Sequence, residues 1–599
     1  MEGFHRIAAA CPKVAIADPK VNAERIGDLY DQAASCGSAI MVTPELSLTG
    51  YTCGDLFFRN DLHEACNVAL ENLRLRTNGY GTILVVGVPR LIGNRLFNCA
   101  VVLQNGKILG TVAKSNLPNY AEYYEKRWFS AGENNTIFTT ADGRFSFGVE
   151  ICEDLWVPSP VSSALATAGA KLIVNLSAST EFLGKSTKRR NRVLAQSAAI
   201  EGGYALAAAG PGESTADAIY GGQTLIAVSG QLQCESELFP DEATISYATV
   251  DFNAITHRRL RFSGIGNCAQ PEVTKVILDA VPDCDAENIS KDPFGDEFGE
   301  NGWAEKILAL QSVGLGERLK RTGLKKAVIG VSGGADSALA LLGTHRAMQR
   351  IGLPAKNIIA IVMPGFGSTE ATQTSAAALS HALGCDTRII DIRAACERHF
   401  SDIGHSDSDY DLTFENVQAR ERTQILMDVA NAESGLVIGT GDLSEIALGW
   451  STYNGDHMSM YAINASVPKT MVYAALKELA HLYPSEAATE LIRISETPAS
   501  PELVPGAPVD GTESRIGPYV VHDFLLYHTL VNGDSEIALR KLATAAFRGS
   551  YTEEIIDRTV STFIRRFRVQ QFKRNCVPDG PKITLSLSPR ADWRMPSDI

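Results

Sequence analysis

The chain has 599 residues, enough for roughly two to four domains with ample core. With 45% hydrophobic and 21% charged residues and a net charge of -14, it reads as a globular protein made for water and not as a general nucleic-acid binder. No apolar run is long enough to span a bilayer, and the start Met1-Glu2-Gly3-Phe4-His5-Arg6 leads into no signal-peptide core, so the expectation is a cytoplasmic protein with no membrane partner. The 12 cysteines form no C-x-x-C pair and no Cys/His cluster, which disfavours zinc and fits reduced thiols.

From Ile7 to about Phe262, short apolar strands alternate with amphipathic helices, the clearest strands being Ala39 to Thr43, Thr82 to Gly87 and Lys171 to Asn175. This is the pattern of an α/β layered domain. Three of its polar residues follow directly on strand-like runs. Glu45 stands in Pro44-Glu45-Leu46, where a carboxylate must be solvated, paired or functional, because burying it alone is costly. Lys114 follows Leu109 to Ala113, and Cys152 closes the alternating run Phe145 to Ile151. Taken singly, each has a plain explanation: a structural ion pair between Glu45 and Lys114, and a small buried hydrophobe at Cys152.

Together, Pro44-Glu45-Leu46, Lys114-Ser115-Asn116-Leu117-Pro118-Asn119-Tyr120 and Ile151-Cys152-Glu153-Asp154 resemble the Glu-Lys-Cys triad of the nitrilase, or carbon-nitrogen hydrolase, superfamily, and they stand in that superfamily's order. The resemblance implies a nitrilase-like αββα domain with amidase chemistry. Lys114 as ammonium would favour the thiolate of Cys152 and stabilise an oxyanion. Glu45 would take the thiol proton, pass it to the leaving amine and then activate water. In the glutamine-using members, Tyr120, Glu153, Ser179 and the cation at Lys185 match glutamine-binding positions. Their pattern has Arg where this chain has Lys185, and a Lys cannot clamp a carboxylate with two parallel bonds. By itself the run Lys185, Lys188, Arg189, Arg190, Arg192 reads as a solvated basic face. The stretch Gly210-Pro211-Gly212-Glu213-Ser214-Thr215-Ala216-Asp217 also resembles the family, with no chemistry attached to it.

Between a first domain at 1–272 and a second at 302–599, the segment 273–301 turns acidic and loop-like and reads as a linker. Trp303 to Leu319 reads as a helix. Val328-Ile329-Gly330-Val331-Ser332-Gly333-Gly334-Ala335-Asp336-Ser337 then gives strand, loop and helix start, with glycines that let backbone N–H groups approach an anion at the positive end of a helix. It is no Walker A loop, because no Lys-Ser or Lys-Thr follows the glycines. Asp336 beside a bound phosphate makes sense if it holds Mg2+. A Gly turn in an ordinary βα unit is the plain reading. Ile358 to Pro364 and Leu436 to Glu445 repeat the strand-then-loop arrangement, and in an open parallel sheet such loops can meet around one nucleotide. Gly439-Thr440-Gly441 is no dinucleotide fingerprint, since Ser444 stands where the third glycine belongs.

Ser332-Gly333-Gly334-Ala335-Asp336-Ser337 resembles the pyrophosphate loop of the N-type ATP pyrophosphatases, which implies a Rossmann-like parallel-sheet domain of the adenine nucleotide α-hydrolase type. Glu415 to Arg422, Gly439 to Glu445, Ala447 to Asp456, Val467-Pro468-Lys469-Thr470, Phe572-Lys573-Arg574 and Ser588 to Pro596 resemble NAD synthetase. With the amidase half in front, nearly the entire chain resembles the glutamine-dependent NAD+ synthetases. The resemblance implies that Gly330, Val331, Ser332, Gly333, Gly334, Ala335, Asp336, Ser337 and Thr440 hold ATP and that Asp336 and Glu445 hold Mg2+. It places Asn416, Glu445, Trp450, Ser451, Thr452, Tyr453 and Lys573 against deamido-NAD+. For Trp450 and Tyr453, core packing is the competing reading. It further implies homo-oligomers, at least dimers paired through the synthetase domain and up to octamers. The expected reaction hydrolyses glutamine to glutamate and ammonia and uses the ammonia to amidate ATP-adenylated deamido-NAD+, giving NAD+, AMP and pyrophosphate. Because ammonia is mostly protonated in neutral water, a dry internal passage is expected with it. Two alternatives stay open: another acceptor of the same ATP chemistry (a GMP precursor, aspartate or tRNA), and a nitrilase-like domain kept only as a scaffold.

Overall fold

The computed structural model describes residues 2–216, 218–287, 289–498, 503–506 and 511–598. Asp217, at the end of the Gly210 stretch, lies outside the described residues. The chain divides into two compact units, Met1–Glu287 with Val531–Gly533, and Asn288–Leu530 with Asp534–Ile599.

The first unit contains β1 (Phe4–Cys11), β2 (Ser38–Val42), β3 (Ile83–Ile92), β4 (Arg95–Gln104), β5 (Lys107–Ala113), β6 (Thr136–Thr140) and β7 (Ser146–Ile151). It continues with β8 (Leu172–Ser177), β9 (Gly203–Ala208), β10 (Thr224–Val228), β11 (Gln231–Glu235), β12 (Thr244–Asp251) and β13 (Thr274–Leu278). These strands form two sheets, in the orders β12-β1-β2-β3-β4-β5 and β11-β10-β9-β8-β7-β6-β13. Successive side chains leave a strand on opposite faces. Ile7, Ala9, Ile40, Val42 and Val85 therefore meet Phe147, Val149, Leu172, Val174 and Leu176 in one core between the sheets. Their neighbours Ala8, Ala10, Met41, Leu84 and Val86 face the helices Pro19–Ser35 and Asn60–Arg76. Ile173, Tyr204 and Leu206 face the helices Val161–Thr167 and Lys185–Ala199 on the other side. Burial on both faces is why these strands read as continuous apolar runs, and the result is the αββα layering expected.

One expectation is corrected here. The segment 273–301 is not all loop, because β13 pairs in parallel with β6 from Thr274↔Thr136 to Leu278↔Thr140, and Pro293–Phe298 is a short helix. Thr274, Val276 and Ile277 are β-branched and suit a pleated edge, a signal hidden by the acidic residues that follow.

The second unit is built on β14 (Lys326–Gly330), β15 (Ile358–Val362), β16 (Asp386–Ile389), β17 (Gly435–Gly439) and β18 (Tyr461–Ala462). All pair in parallel, in the order β16-β15-β14-β17-β18. The connections run outward in opposite directions from β14 and β17, so the loops after these two strands flank the switch point where an open parallel sheet receives its ligand. The helix Trp303–Thr322 precedes β14 and ends on Gly323 in the left-handed conformation, φ 73°. Among the described residues, no helix is long and apolar enough to cross a membrane.

Candidate active sites

Glu45, Lys114 and Cys152 follow β2, β5 and β7, and the fold brings them into one buried cluster. Lys114 Nζ lies 2.6 Å from Glu45 Oε1 and 2.6 Å from Glu125 Oε1. Asn98 Nδ2 donates to the same Glu45 oxygen at 2.6 Å, and the Tyr51 hydroxyl donates to Glu125 Oε1 at 2.9 Å. The second oxygens of Glu45 and Glu125 are buried without a hydrogen-bond partner. Cys152 opens the short helical turn Cys152–Leu155 with φ at 45°, a conformation that a residue with a side chain enters at a cost. The Ser177 hydroxyl lies 3.5 Å from Cys152 Sγ. Asp154 fixes the turn by accepting from Asn116 N at 2.8 Å and Ile151 N at 3.2 Å, which ties the Lys114 and Cys152 segments together.

The electrostatics of the cluster follow from its burial. Burial, only partly offset by Lys114, and the charge of Glu125 push the Glu45 carboxyl up to about 7. Burial pulls the Lys114 ammonium down, but Glu125, Glu45 and Cys152 outweigh it and hold the group well above an ordinary lysine. Burial and the Glu45 charge push the Cys152 thiol up to about 12, against the smaller effects of Lys114 and Ser177. Lys114 favours the thiolate of Cys152, but burial and Glu45 outweigh it. A thiol raised in this way becomes a thiolate through proton transfer, and burial gives Glu45, at about 7, a stronger hold on a proton than an ordinary glutamate has.

The predicted glutamine contacts surround the cluster. The Tyr120 hydroxyl donates to Glu153 Oε2 at 2.9 Å, and Ser179 carries a buried hydroxyl without a partner. Lys185 Nζ lies 4.0 Å from the centre of the Trp156 ring, a cation–π contact that a single ammonium makes well.

In the second unit, the helix Ala335–Arg350 starts after Gly334 with no side-chain cap, which leaves first-turn N–H groups for an anion. Ser332 N and Ser332 Oγ both meet Ser337 Oγ at 3.2 Å, and Gly334 N donates to Ser332 Oγ at 3.2 Å, so the two serines brace the loop. Gly333 has φ 86°, and a Cβ there would stand 2.3 Å from the Thr372 carbonyl oxygen, so no other residue fits. Lys469 Nζ sits among three carboxylates, 2.7 Å from Asp336 Oδ2, 2.8 Å from Asp442 Oδ2 and 2.9 Å from Glu445 Oε1. Asn464 Nδ2 joins the loops by donating to the Asp336 carbonyl at 2.8 Å and the Thr440 carbonyl at 3.1 Å.

Asp336, Asp442 and Glu445 offer oxygens within 4.8 Å of one another, the spacing a metal ion needs. Their electrostatics fit a divalent cation: burial, opposed by Lys469, holds Asp442 well above the usual carboxylate range and Glu445 up to about 7, the signature of desolvated carboxylates with too little positive charge among them. Asp336 Oδ1 is buried and meets no donor.

The expected dinucleotide contacts are partly engaged with one another. The Thr452 hydroxyl donates to Asn416 Oδ1 at 2.8 Å, and Lys573 Nζ donates to the carbonyls of Gly449 at 2.9 Å and Ser451 at 2.6 Å. The Arg566 guanidinium lies 4.8 Å from the centre of the Trp450 ring, while Tyr453 stacks on His457 at 5.0 Å and is 43% exposed, so core packing does not account for Tyr453.

Residues 6–259 match the carbon-nitrogen hydrolase family, and residues 308–557 match the NAD synthase family. Over 100% of its length the chain is 36% identical to the glutamine-dependent NAD(+) synthetase of Mycobacterium tuberculosis (strain ATCC 25618 / H37Rv), covering 96% of that protein. The chain belongs to the glutamine-dependent NAD+ synthetases. The Aquifex aeolicus (strain VF5) protein of the same name is 29% identical over 97% of this chain and 97% of its own length. The crystal structure of a glutamine-dependent NAD(+) synthetase from Cytophaga hutchinsonii, at 21% identity, covers 99% of this chain and 97% of that one with a TM-score of 0.41, too loose a likeness to carry any argument.

Three charged members of the two clusters escaped sequence reasoning. Glu125 stands in Tyr124-Glu125-Lys126-Arg127, which reads as an exposed charge run. Asp442, three residues before Glu445, reads as a helix N-cap, and it does accept from Glu445 N at 2.8 Å. Lys469 had a usable signal, because it is the first residue of the helix Lys469–Leu479, where a cation opposes the helix dipole and calls for a carboxylate partner.

Proposed function

We propose that the chain synthesises NAD+ from deamido-NAD+, ATP and glutamine. In the first unit, Glu45 takes the Cys152 proton as the sulfur attacks the glutamine carboxamide, and the Lys114 ammonium stabilises the oxyanion that forms. The C–N bond breaks as Glu45 returns the proton to nitrogen, releasing ammonia. Glu45 next takes a proton from water, which cleaves the thioester to glutamate and restores the thiol. Tyr120, Glu153, Ser179 and Lys185 hold the amino-acid end of glutamine.

In the second unit, a carboxylate oxygen of deamido-NAD+ attacks the α-phosphorus of ATP, and pyrophosphate departs against the N–H groups of Gly330 to Ser337. Thr440 lies with ATP, and Asn416, Trp450 to Tyr453 and Lys573 orient deamido-NAD+. Asp336, Asp442 and Glu445 would hold Mg2+, which when bound neutralises charge on the departing pyrophosphate. Lys469, which pairs with all three carboxylates, would lend a further positive charge beside the departing pyrophosphate. Ammonia then attacks the adenylated carbonyl, AMP leaves, and the amide of NAD+ remains.

The observation that carries this reading is the pairing, in one chain, of a buried thiol beside the Glu45–Lys114 ion pair with a phosphate loop whose Asp336 belongs to the Lys469-centred carboxylate cluster. The test is AMP formation with ATP and ammonia in the presence of deamido-NAD+, xanthylate or aspartate. Deamido-NAD+ alone is expected to support it. AMP formation with either competitor and not with deamido-NAD+ would replace the acceptor.

A further inference from the structure

The stretch Gly210-Pro211-Gly212-Glu213 has no part in the chemistry above, yet its geometry is tightly specified. Gly212 has φ 94°, and a Cβ there would stand 1.9 Å from the Val14 carbonyl oxygen, so only glycine lets the chain pass. Val14 N donates to the Pro211 carbonyl at 2.9 Å, which pins the passage. Glu213 is thereby turned inward to 8% exposure.

Its carboxylate there accepts three hydrogen bonds from one short segment: Tyr51 N at 2.7 Å, Thr52 N at 3.0 Å and the Thr52 hydroxyl at 2.6 Å. Tyr51 opens the helical segment Tyr51–Phe58, which follows Gly50 with no side-chain cap of its own. Glu213 therefore supplies that end with a cap from 162 residues away. From this fixed start the Tyr51 hydroxyl reaches Glu125 Oε1 at 2.9 Å, the oxygen that Lys114 Nζ also holds at 2.6 Å.

We infer that Glu213 is a positioning residue for glutamine hydrolysis, fixing Tyr51 so that its phenol shares Glu125 Oε1 with Lys114 and so sets how firmly Lys114 is held toward Glu45. The inference rests on the Glu45–Lys114–Cys152 reading above. A phenol donating to Glu125 takes up part of that carboxylate's charge. Without it, Glu125 draws the ammonium harder, and Glu45 loses part of the cation that keeps it ionised. Glu45 then holds its proton to higher pH. The groups facing this cluster are Lys114, Glu125, Cys152 and Tyr51, with Tyr220, Glu153 and Asp154 beyond them. Neither Glu213→Gln nor Tyr51→Phe removes any other of them.

The test is the pH profile of glutamine hydrolysis by the full-length protein as wild type, Glu213→Gln, Tyr51→Phe and the double variant, with thermal unfolding followed by circular dichroism as the measure of intact folding. Each single variant is expected to move the acid limb up by about 0.5–1 pH unit, and the double variant no further, because both act through one hydrogen bond. An unmoved limb in Glu213→Gln, whatever its rate, or shifts that add in the double variant, would overturn the inference. Should Glu213→Gln fail to fold, Thr52→Val removes one of the three donors and is read by the same two outcomes. Residual hydrolysis in Cys152→Ala would instead sink the amidase reading itself, so the two failures are distinct.

Discussion

The ammonium of Lys114 lies 2.6 Å from Glu45 Oε1, and neither side chain has any exposure to solvent. Removing one partner of such a pair leaves a charge that water cannot reach, a loss of about 3–5 kcal/mol. Lys114→Met is therefore expected to lower the unfolding free energy by about that amount and to abolish glutamine hydrolysis. Denaturant unfolding and a glutamate-release assay check both. A destabilised variant that still hydrolyses glutamine would mean that the pair is only structural.

The pH dependence of hydrolysis follows from the raised Glu45 carboxyl. Because its proton is held up to about 7, against 4.5 for an ordinary glutamate, Glu45 is mostly protonated and unable to act as base below that pH. The kcat/KM for glutamine should rise about tenfold per pH unit through the acid range and level off above an apparent pKa near 7, while the thiol, pushed up to about 12, stays protonated throughout. A limb near 4.5 would show that the base is an ordinary exposed carboxylate or that Glu45 is not the base.

At the other site, Lys469 neutralises carboxylates that a divalent cation would otherwise claim. Lys469→Met should lower ammonia-driven NAD+ formation by about 10²-fold or more and leave glutamine hydrolysis in the first unit intact. Titration calorimetry should find Mg2+ bound more tightly, by about tenfold, because the competing ammonium is gone from Asp336, Asp442 and Glu445. Unchanged Mg2+ affinity would place the cation elsewhere.

The glutamine contact proposed for Lys185 can be tested by strengthening it. Its ammonium rests on the Trp156 ring at 4.0 Å and offers a point charge, where a guanidinium could offer two parallel donors. Lys185→Arg should lower the KM for glutamine by about three- to tenfold at constant kcat, and Lys185→Met should raise it by about tenfold. KM values unmoved by both substitutions would remove Lys185 from the glutamine site.

Much of this architecture is legible in the chain, for physical reasons that differ from place to place. The αββα layers are legible because runs such as Ala39 to Val42 and Leu172 to Ser177 are buried on both faces and must be apolar throughout. Glu45, Lys114 and Cys152 are legible because each stands just after a strand, where a polar side chain needs a reason, and Asp336 because it stands in the first turn of a helix after a Ser-Gly-Gly turn. Glu125 is hidden because its partner Lys114 comes from 11 residues away, while its immediate neighbours Lys126 and Arg127 already satisfy a surface reading. The balance of effects at Cys152 is hidden for a related reason: the sequence names the cation beside it, and the burial and the Glu45 charge that oppose it come only with the fold.

The account's central claim is that Cys152 supplies nitrogen to a synthetase that works without it. The most direct measurement is NAD+ formation by Cys152→Ala, with deamido-NAD+ and ATP saturating and either glutamine or ammonium as the nitrogen source. The predicted result is loss of glutamine-driven synthesis with ammonia-driven synthesis kept at the wild-type rate. Glutamine-driven synthesis that survives the substitution would contradict the account.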